Sequence, residues 1–231
     1  MPSSNGIGTL SEKSLHADLK EWYAREGDEI EAEVAGFQID IKRGDLLIEV
    51  QTGNFSAIKR KLGLLLEEHP VLLIHPIAET KWIIRLDQKG RKVSQRKSPK
   101  RGKVEDLFRE LLRIPELAAS PRLSLEVALI DMEEIWIDDG KGSWRRGKWS
   151  IHDRKLLGIR RRVRLDRGED FLALLPGKLD RPFTVKDLAA ASQITQRQSQ
   201  RMTYSLRKMG LLEIVSKQGN AYVLDLVPGI Q

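Results

Sequence analysis

The sequence predicts an α/β fold running helix, three strands, helix, strand, followed by an α+β region that closes with two helices and a β-hairpin. Three observations carry this expectation. "SEKSLHADLKEWYAREG" repeats its apolar residues at helical spacing, and the stretches after it alternate with the period of strands. "HPVLLIHPI" is a short continuous apolar run bounded by prolines, as parallel strands buried on both faces are. Near the end, two capped helical segments precede two strands joined by Gly219-Asn220.

Each element follows from its residues. In the opening helix, Leu15, Leu19, Trp22 and Tyr23 form the stripe, Ser11 offers a cap and Gly27 a stop. Glu12 and His16 share its inward side. "DEIEAEV" alternates Ile30, Ala32 and Val34 against acids. "GFQIDIKRGDLLIEVQTGN" is a hairpin setting Phe37, Ile39 and Ile41 against Leu46, Ile48 and Val50, with Arg43-Gly44 as its turn. Pairing Ile41 with Leu46, Ile39 with Ile48 and Phe37 with Val50 matches every apolar residue. That register makes Asp40 and Glu49 diagonal neighbours on one face with Gln38 and Gln51, with Cβ atoms roughly 6 to 8 Å apart. "FSAIKRKLGLLLEE" is a crossover helix between this hairpin and the buried strand, and "TKWIIRLDQ" adds another strand.

Residues 88 to 103 hold Lys89, Arg91, Lys92, Arg96, Lys97, Lys100, Arg101 and Lys103 without an acid, which reads as a basic linker that would attract phosphates. The domain layout expected is 1–88 for the first domain, 89–103 for the linker, 104–175 for an α+β connecting region and 176–231 for the last domain. In that last part, Thr184 and Asp187 make a capping box, Phe183 staples onto Leu188, and Met202, Leu206 and Met209 face inward on the second helix. Helix, turn, helix and hairpin is the winged-helix arrangement. Arg197, Gln200, Arg201, Tyr204 and Lys208 lie opposite the Met/Leu stripe, where Arg and Gln can read base edges while Lys217 in the wing reaches the backbone. Arg96, Lys97, Lys100 and Arg101 of the basic stretch are further DNA contacts.

Composition narrows the chemistry. The 231 residues contain no cysteine and 4 His, which excludes disulfides, thiol nucleophiles and thiolate zinc sites. Forty Lys and Arg exceed 33 Asp and Glu, for a formal charge of +7, so a polyanionic partner fits. No stretch is long and apolar enough to span a membrane, and the start lacks a signal-peptide layout; a soluble, cytoplasmic protein is expected.

Two carboxylates on neighbouring strands can converge on one hard cation. Asp40, the segment Glu49-Val50-Gln51 and the helix acid Glu12, inside the order αβββαβ over residues 11 to 77, resemble the PD-(D/E)XK, restriction endonuclease-like superfamily. Two departures stand out: Ile39 replaces the loosely kept Pro, and Gln51 replaces the Lys. The resemblance implies metal-assisted phosphodiester hydrolysis in which Glu12, Asp40 and Glu49 hold Mg²⁺ or Mn²⁺, Gln51 positions the water, and Lys59 or Lys61 substitutes for the missing cation. A looser resemblance, carried by "VQTGNFSAIKRKL", "RKSPKRG" and "MTYSLRKMG", is to uncharacterised bacterial proteins. The expected partner is DNA, with a homodimer compatible and with no membrane or small-molecule cofactor. The alternatives are a non-catalytic DNA-binding regulator on the nuclease scaffold and a protein-interaction adaptor.

Overall fold

One seven-stranded sheet organises the chain from its first helix to Leu165. The computed structural model describes residues 10–229, with the side chains of residues 10–13 and of Arg145 outside that description. The elements in order are α1 (Leu10–Tyr23), β1 (Glu29–Val34), β2 (Phe37–Arg43), β3 (Leu46–Val50), α2 (Phe55–Leu65), β4 (Val71–Leu86) and β5 (Lys92–Lys97). They continue with α3 (Phe108–Leu111), α4 (Pro115–Ala118), β6 (Leu123–Ile137), β7 (Ser150–Leu165) and α5 (Gly168–Leu172). The C-terminal module comprises β8 (Phe183–Thr184), α6 (Val185–Ser192), α7 (Gln196–Lys208), β9 (Leu212–Gln218) and β10 (Ala221–Leu226). None of the described helices is long and apolar enough to cross a membrane.

The sheet order is β1-β2-β3-β4-β6-β7, and β5 also pairs with β4. Strands β3, β4 and β6 are parallel and the other pairings antiparallel. Strand β3 borders the first part of β4, from Leu47 beside Val71 to Val50 beside Ile74. Strand β5 borders the last part, from Lys97 beside Trp82 to Lys92 beside Leu86. Residues His75 to Lys81 of β4 therefore face a gap in the sheet, which a cavity occupies.

Each face of the sheet has its own apolar core. On one, Leu15, Leu19 and Tyr23 of α1 cover Ile41, Ile48, Val50, Leu72 and Ile74. On the other, Phe55, Leu62 and Leu65 of α2 cover Leu47, Val71 and Leu73, and this core runs on through Leu107, Phe108 and Leu111 into Phe183, Leu188, Met202 and Leu206. The C-terminal module thus packs into the same core as the sheet. Thr184 caps α6 and Thr195 caps α7, each accepting from the backbone N–H three residues on. Hairpin β9–β10 turns through Gly219 (φ +59) and Asn220, and the small sheet has the order β8-β10-β9.

Four expectations are corrected. The β2–β3 register pairs Ile41 with Ile48 and Arg43 with Leu46, two residues from the expected one, because the turn is Gly44-Asp45 with Gly44 left-handed (φ +56). The basic stretch is no linker: Lys92–Lys97 form an exposed edge strand, and a row of cations on such an edge discourages pairing with other chains. Nor does a new strand begin at Thr80, since β4 runs unbroken for 16 residues. With β6 and β7 continuing the same sheet, residues 89–165 belong to the first architecture, and neither the boundary at 88 nor a separate region from 104 marks a structural division.

Candidate functional site

The ladder around β2 breaks at Asp40. On the β1 side, Ile30 pairs with Ile41 and Ala32 with Ile39, while Glu31 between them is left-handed (φ 54) and unpaired. On the β3 side, pairing stops at Ile41 and Ile48. Ile39 consequently packs in the α2-side core and Ile41 in the α1-side core, although two residues apart. Strand β2 turns over here, and side chains bridge the space that main-chain bonds would fill. Irregular backbone of this kind concentrates at ligand and catalytic sites.

Asp40 Oδ2 accepts from Val50 N (2.8 Å) and from His16 Nε2 on α1 (3.1 Å). Glu49, buried on β3, accepts on Oε1 from Lys61 Nζ of α2 at 2.5 Å, and Lys61 also donates to the Gln38 carbonyl. Burial would raise the Asp40 carboxyl, but the bonds from His16 and Val50 overcome it and hold Asp40 below the ordinary carboxylate value. His16 is raised, chiefly by that bond to Asp40 and against its own burial. Glu49 goes the other way: burial pushes it up, the Lys61 ammonium only partly offsets this, and the Asp40 charge adds to the rise. Two neighbouring acids with pKa values driven apart are an arrangement that acid–base and metal sites use.

The pair fits a small divalent ion of the kind that keeps waters. Mg²⁺ needs one or two carboxylates, completing its shell with water and substrate phosphate. Among the described residues, the hydrogen bonds to the Asp40 carboxylate fall on Oδ2. Among the described residues no three acids or histidines gather into an all-protein cage. Glu12, the expected third ligand, lies outside the described side chains. Gln51 turns away: its Nε2 donates to the Gly53 carbonyl, and its own carbonyl accepts from His75 Nδ1 (2.7 Å). Of the candidate cations on α2, Lys61 reaches Glu49, while Lys59 stays exposed and pairs with neither acid.

A second surface lies on the C-terminal module. Ser199, Met202, Thr203, Ser205 and Leu206 form the buried stripe of α7, leaving Arg197, Gln200, Tyr204 and Lys208 exposed and Arg201 half-buried. Between α7 and the hairpin lies a cleft of about 330 Å³ lined by Gln200, Tyr204, Arg207, Asn220 and Tyr222. Arg207 sits 6.0 Å and Lys217 5.1 Å from the Tyr222 ring centre. Arg207 and Tyr222 escaped the sequence reading, although Arg207 stands seven residues from Gln200 and Tyr222 on the hairpin strand opposite Lys217. Arg96 and Lys97 are exposed on β5, Lys97 beside the Trp82 ring; Arg101 pairs with Glu79 (3.8 Å), and Lys100 lines the cavity in the sheet gap. Arg96 and Lys97 stand on the sheet, and Lys100 and Arg101 in the segment that follows it, held by the cavity wall and Glu79.

The chain belongs to the family described as a domain of unknown function (DUF8091), whose model matches residues 13–166. That range runs from α1 to the end of β7 and includes Asp40, Glu49 and Lys61. An uncharacterized protein of Treponema pallidum (strain Nichols) is 34% identical over 184 residues, covering 79% of this chain and 73% of the relative. No solved structure matches the chain.

Proposed function

We propose that the protein is a DNA-binding, divalent-metal-dependent nuclease of the PD-(D/E)XK, restriction endonuclease-like type, with the C-terminal module acting as a winged helix that docks the substrate. One observation carries this reading: where β2 and β3 part, Asp40 accepts from Val50 N–H beside Glu49, and Glu49 pairs with Lys61, two acids and a cation of the kinds that phosphodiester hydrolysis uses. Asp40 and Glu49 would hold Mg²⁺ or Mn²⁺. Such an ion, when bound, activates water and offsets charge on the scissile phosphate. The chain's own residues do the rest. Val50 N–H and His16 orient Asp40. The Lys61 ammonium takes the place the resemblance assigns to Lys at position 51, and it stabilises negative charge building on the phosphate. On α7, Arg197, Gln200 and Tyr204 face outward, suited to a groove, with Lys217 on the hairpin. A cytoplasmic location goes with this reading.

One observation favours a second reading, a DNA-binding regulator without catalysis: Asp40 and Glu49 are each balanced by a basic side chain of the protein itself. The two separate on incubation with supercoiled, linear, single-stranded and branched DNA plus Mg²⁺ or Mn²⁺. Cleavage that disappears in Glu49→Ala supports the nuclease. Salt-sensitive binding without cleavage supports the regulator, and absence of both points to protein partners.

A further inference from the structure

Sequence places the DNA contacts on α7 and the hairpin; packing adds a second row beside them. Arg109 of α3 and Arg113 in the turn after it are four residues apart and exposed, as Arg197 and Arg201 are four apart on α7. The two elements share the core of Leu107, Phe108, Leu111, Met202 and Leu206, and Gln198 Nε2 donates to Asp106 Oδ1 at 2.9 Å across their junction. The arginine rows are close enough to repel. Burial first, then the charges of Arg197, Arg109 and Arg113, push the Arg201 guanidinium down from its ordinary value, and Glu110 opposes them.

Two acids at this junction already have partners. Asp106 accepts from Gln198 and pairs with Arg109 (3.0 Å), and Glu110 accepts from Phe55 N (3.1 Å) at the start of α2. Around Arg201 the charges of Arg197, Arg109 and Arg113 stand against that of Glu110, a crowding of cations that a polyanion would relieve. Arg109 also lines the cavity in the sheet gap, about 240 Å³, together with Thr52, His75, Lys81 and Lys100. Thr52 stands three residues beyond Glu49 along the chain.

We propose that Arg109, Arg113, Arg197 and Arg201 form one phosphate-binding patch that carries a DNA backbone from α7 across α3 to the cavity at the end of β3. This inference rests on the DNA-binding reading and gives it a path from the docking surface to the strand end that bears Glu49. Guanidinium forks suit phosphate oxygens, which they can engage through two bonds at once. Three of the four side chains are exposed, so phosphates can reach them without rearranging the core.

The test is binding of the full chain to a fluorescent duplex, followed by anisotropy from about 50 to 200 mM salt. Each phosphate contact contributes about 0.9 to the slope of log affinity against log salt, so Arg109→Ala/Arg113→Ala should flatten it by about 2 and weaken binding at least ~tenfold at low salt. Arg113→Ala alone should flatten the slope by about 1; it leaves the Arg109–Asp106 pair intact and serves if the double variant loses its thermal transition. Arg109→Lys/Arg113→Lys, which keeps the charge, should retain most of the slope. Affinity and slope equal to wild type in both alanine variants would overturn the patch while leaving DNA binding established. A wild-type chain without salt-sensitive binding would remove the patch and the DNA-binding reading together.

Discussion

The break in the ladder at Asp40 and the surface where α3 meets α7 handle charge in opposite ways. At the break each acid has a basic neighbour supplied by the fold: His16 for Asp40 and Lys61 for Glu49. At the α3–α7 surface, Arg201 faces the charges of three other arginines against that of Glu110, which is itself bonded to Phe55 N–H. Folding alone therefore completes the first region, holding its side chains in fixed positions. The second keeps guanidiniums crowded together, a repulsion that a polyanion would relieve. Catalytic groups require fixed geometry, and a docking surface for a polyanion requires unspent charge. The two regions nevertheless share one apolar core, which runs from Phe55 beneath α2 to Leu206 on α7.

That shared core offers the strongest way to break the comparison. Phe108 is buried between sheet and module, and Phe108→Ala should cost about 3–5 kcal/mol. Calorimetry and urea unfolding should show one transition that moves as a whole; a sheet and a module melting separately would show that the regions are independent. Next comes the break at Asp40. Glu49→Ala and Lys61→Ala should each lower the cleavage rate about a hundredfold, about 2.7 kcal/mol of barrier, with DNA affinity within about twofold of wild type. Gln51→Ala should change cleavage by less than about threefold, because its side chain is committed to the Gly53 carbonyl; a loss matching that of Lys61→Ala would restore to Gln51 the water-positioning role that the resemblance implies.

A pH experiment probes the cavity between the two regions. Burial holds the His75 imidazole below its ordinary 6.5, against the bond to the Gln51 carbonyl and the charges of Glu110 and Asp106. As pH falls below that ordinary value, the unfolded chain takes up the proton before the folded one. The unfolded state then binds more protons, so stability declines with a slope approaching about 1.4 kcal/mol per pH unit and levels off once the folded value is passed. Because the raised His16 and Glu49 act in the opposite direction, the test is a difference: in urea titrations between pH 7.5 and 5, wild type should lose stability relative to His75→Gln as pH falls, and parallel curves would contradict it. The smallest effect is at the start of α7, where Thr195→Ala removes the cap on the Gln198 N–H and should cost about 1 kcal/mol in a thermal melt.

Much of the order of elements was legible in the sequence. The stripe of Leu15 and Leu19, the alternation through β1 to β3 and the prolines around Val71–Ile74 each answer to a local periodicity. So does Thr184 with Asp187, a cap that involves neighbours only. The register of β2 and β3 was not legible, since two pairings differing by two residues both set apolar against apolar; Gly44 decides between them in three dimensions. A run of cations is the same string whether it is a tether or an edge strand, and β5 became recognisable only beside the long β4. Asp40 and Glu49 could be picked out as acids within apolar strands. The choice of Lys61 over Lys59 needed the rotation of α2 about its axis, and the meeting of Arg109 and Arg113 with α7 depended on helices far apart in the chain.

Divalent-ion binding tests the proposed nuclease centre most directly. Calorimetric titration of Mn²⁺ into the full chain bound to a duplex should reveal one site in wild type, weakened at least ~tenfold in both Asp40→Asn and Glu49→Gln, since a Mg²⁺-type site here rests on these two carboxylates. Equal Mn²⁺ affinity in all three proteins, or no uptake by wild type with DNA bound, would contradict the assignment of Asp40 and Glu49 to a single metal site.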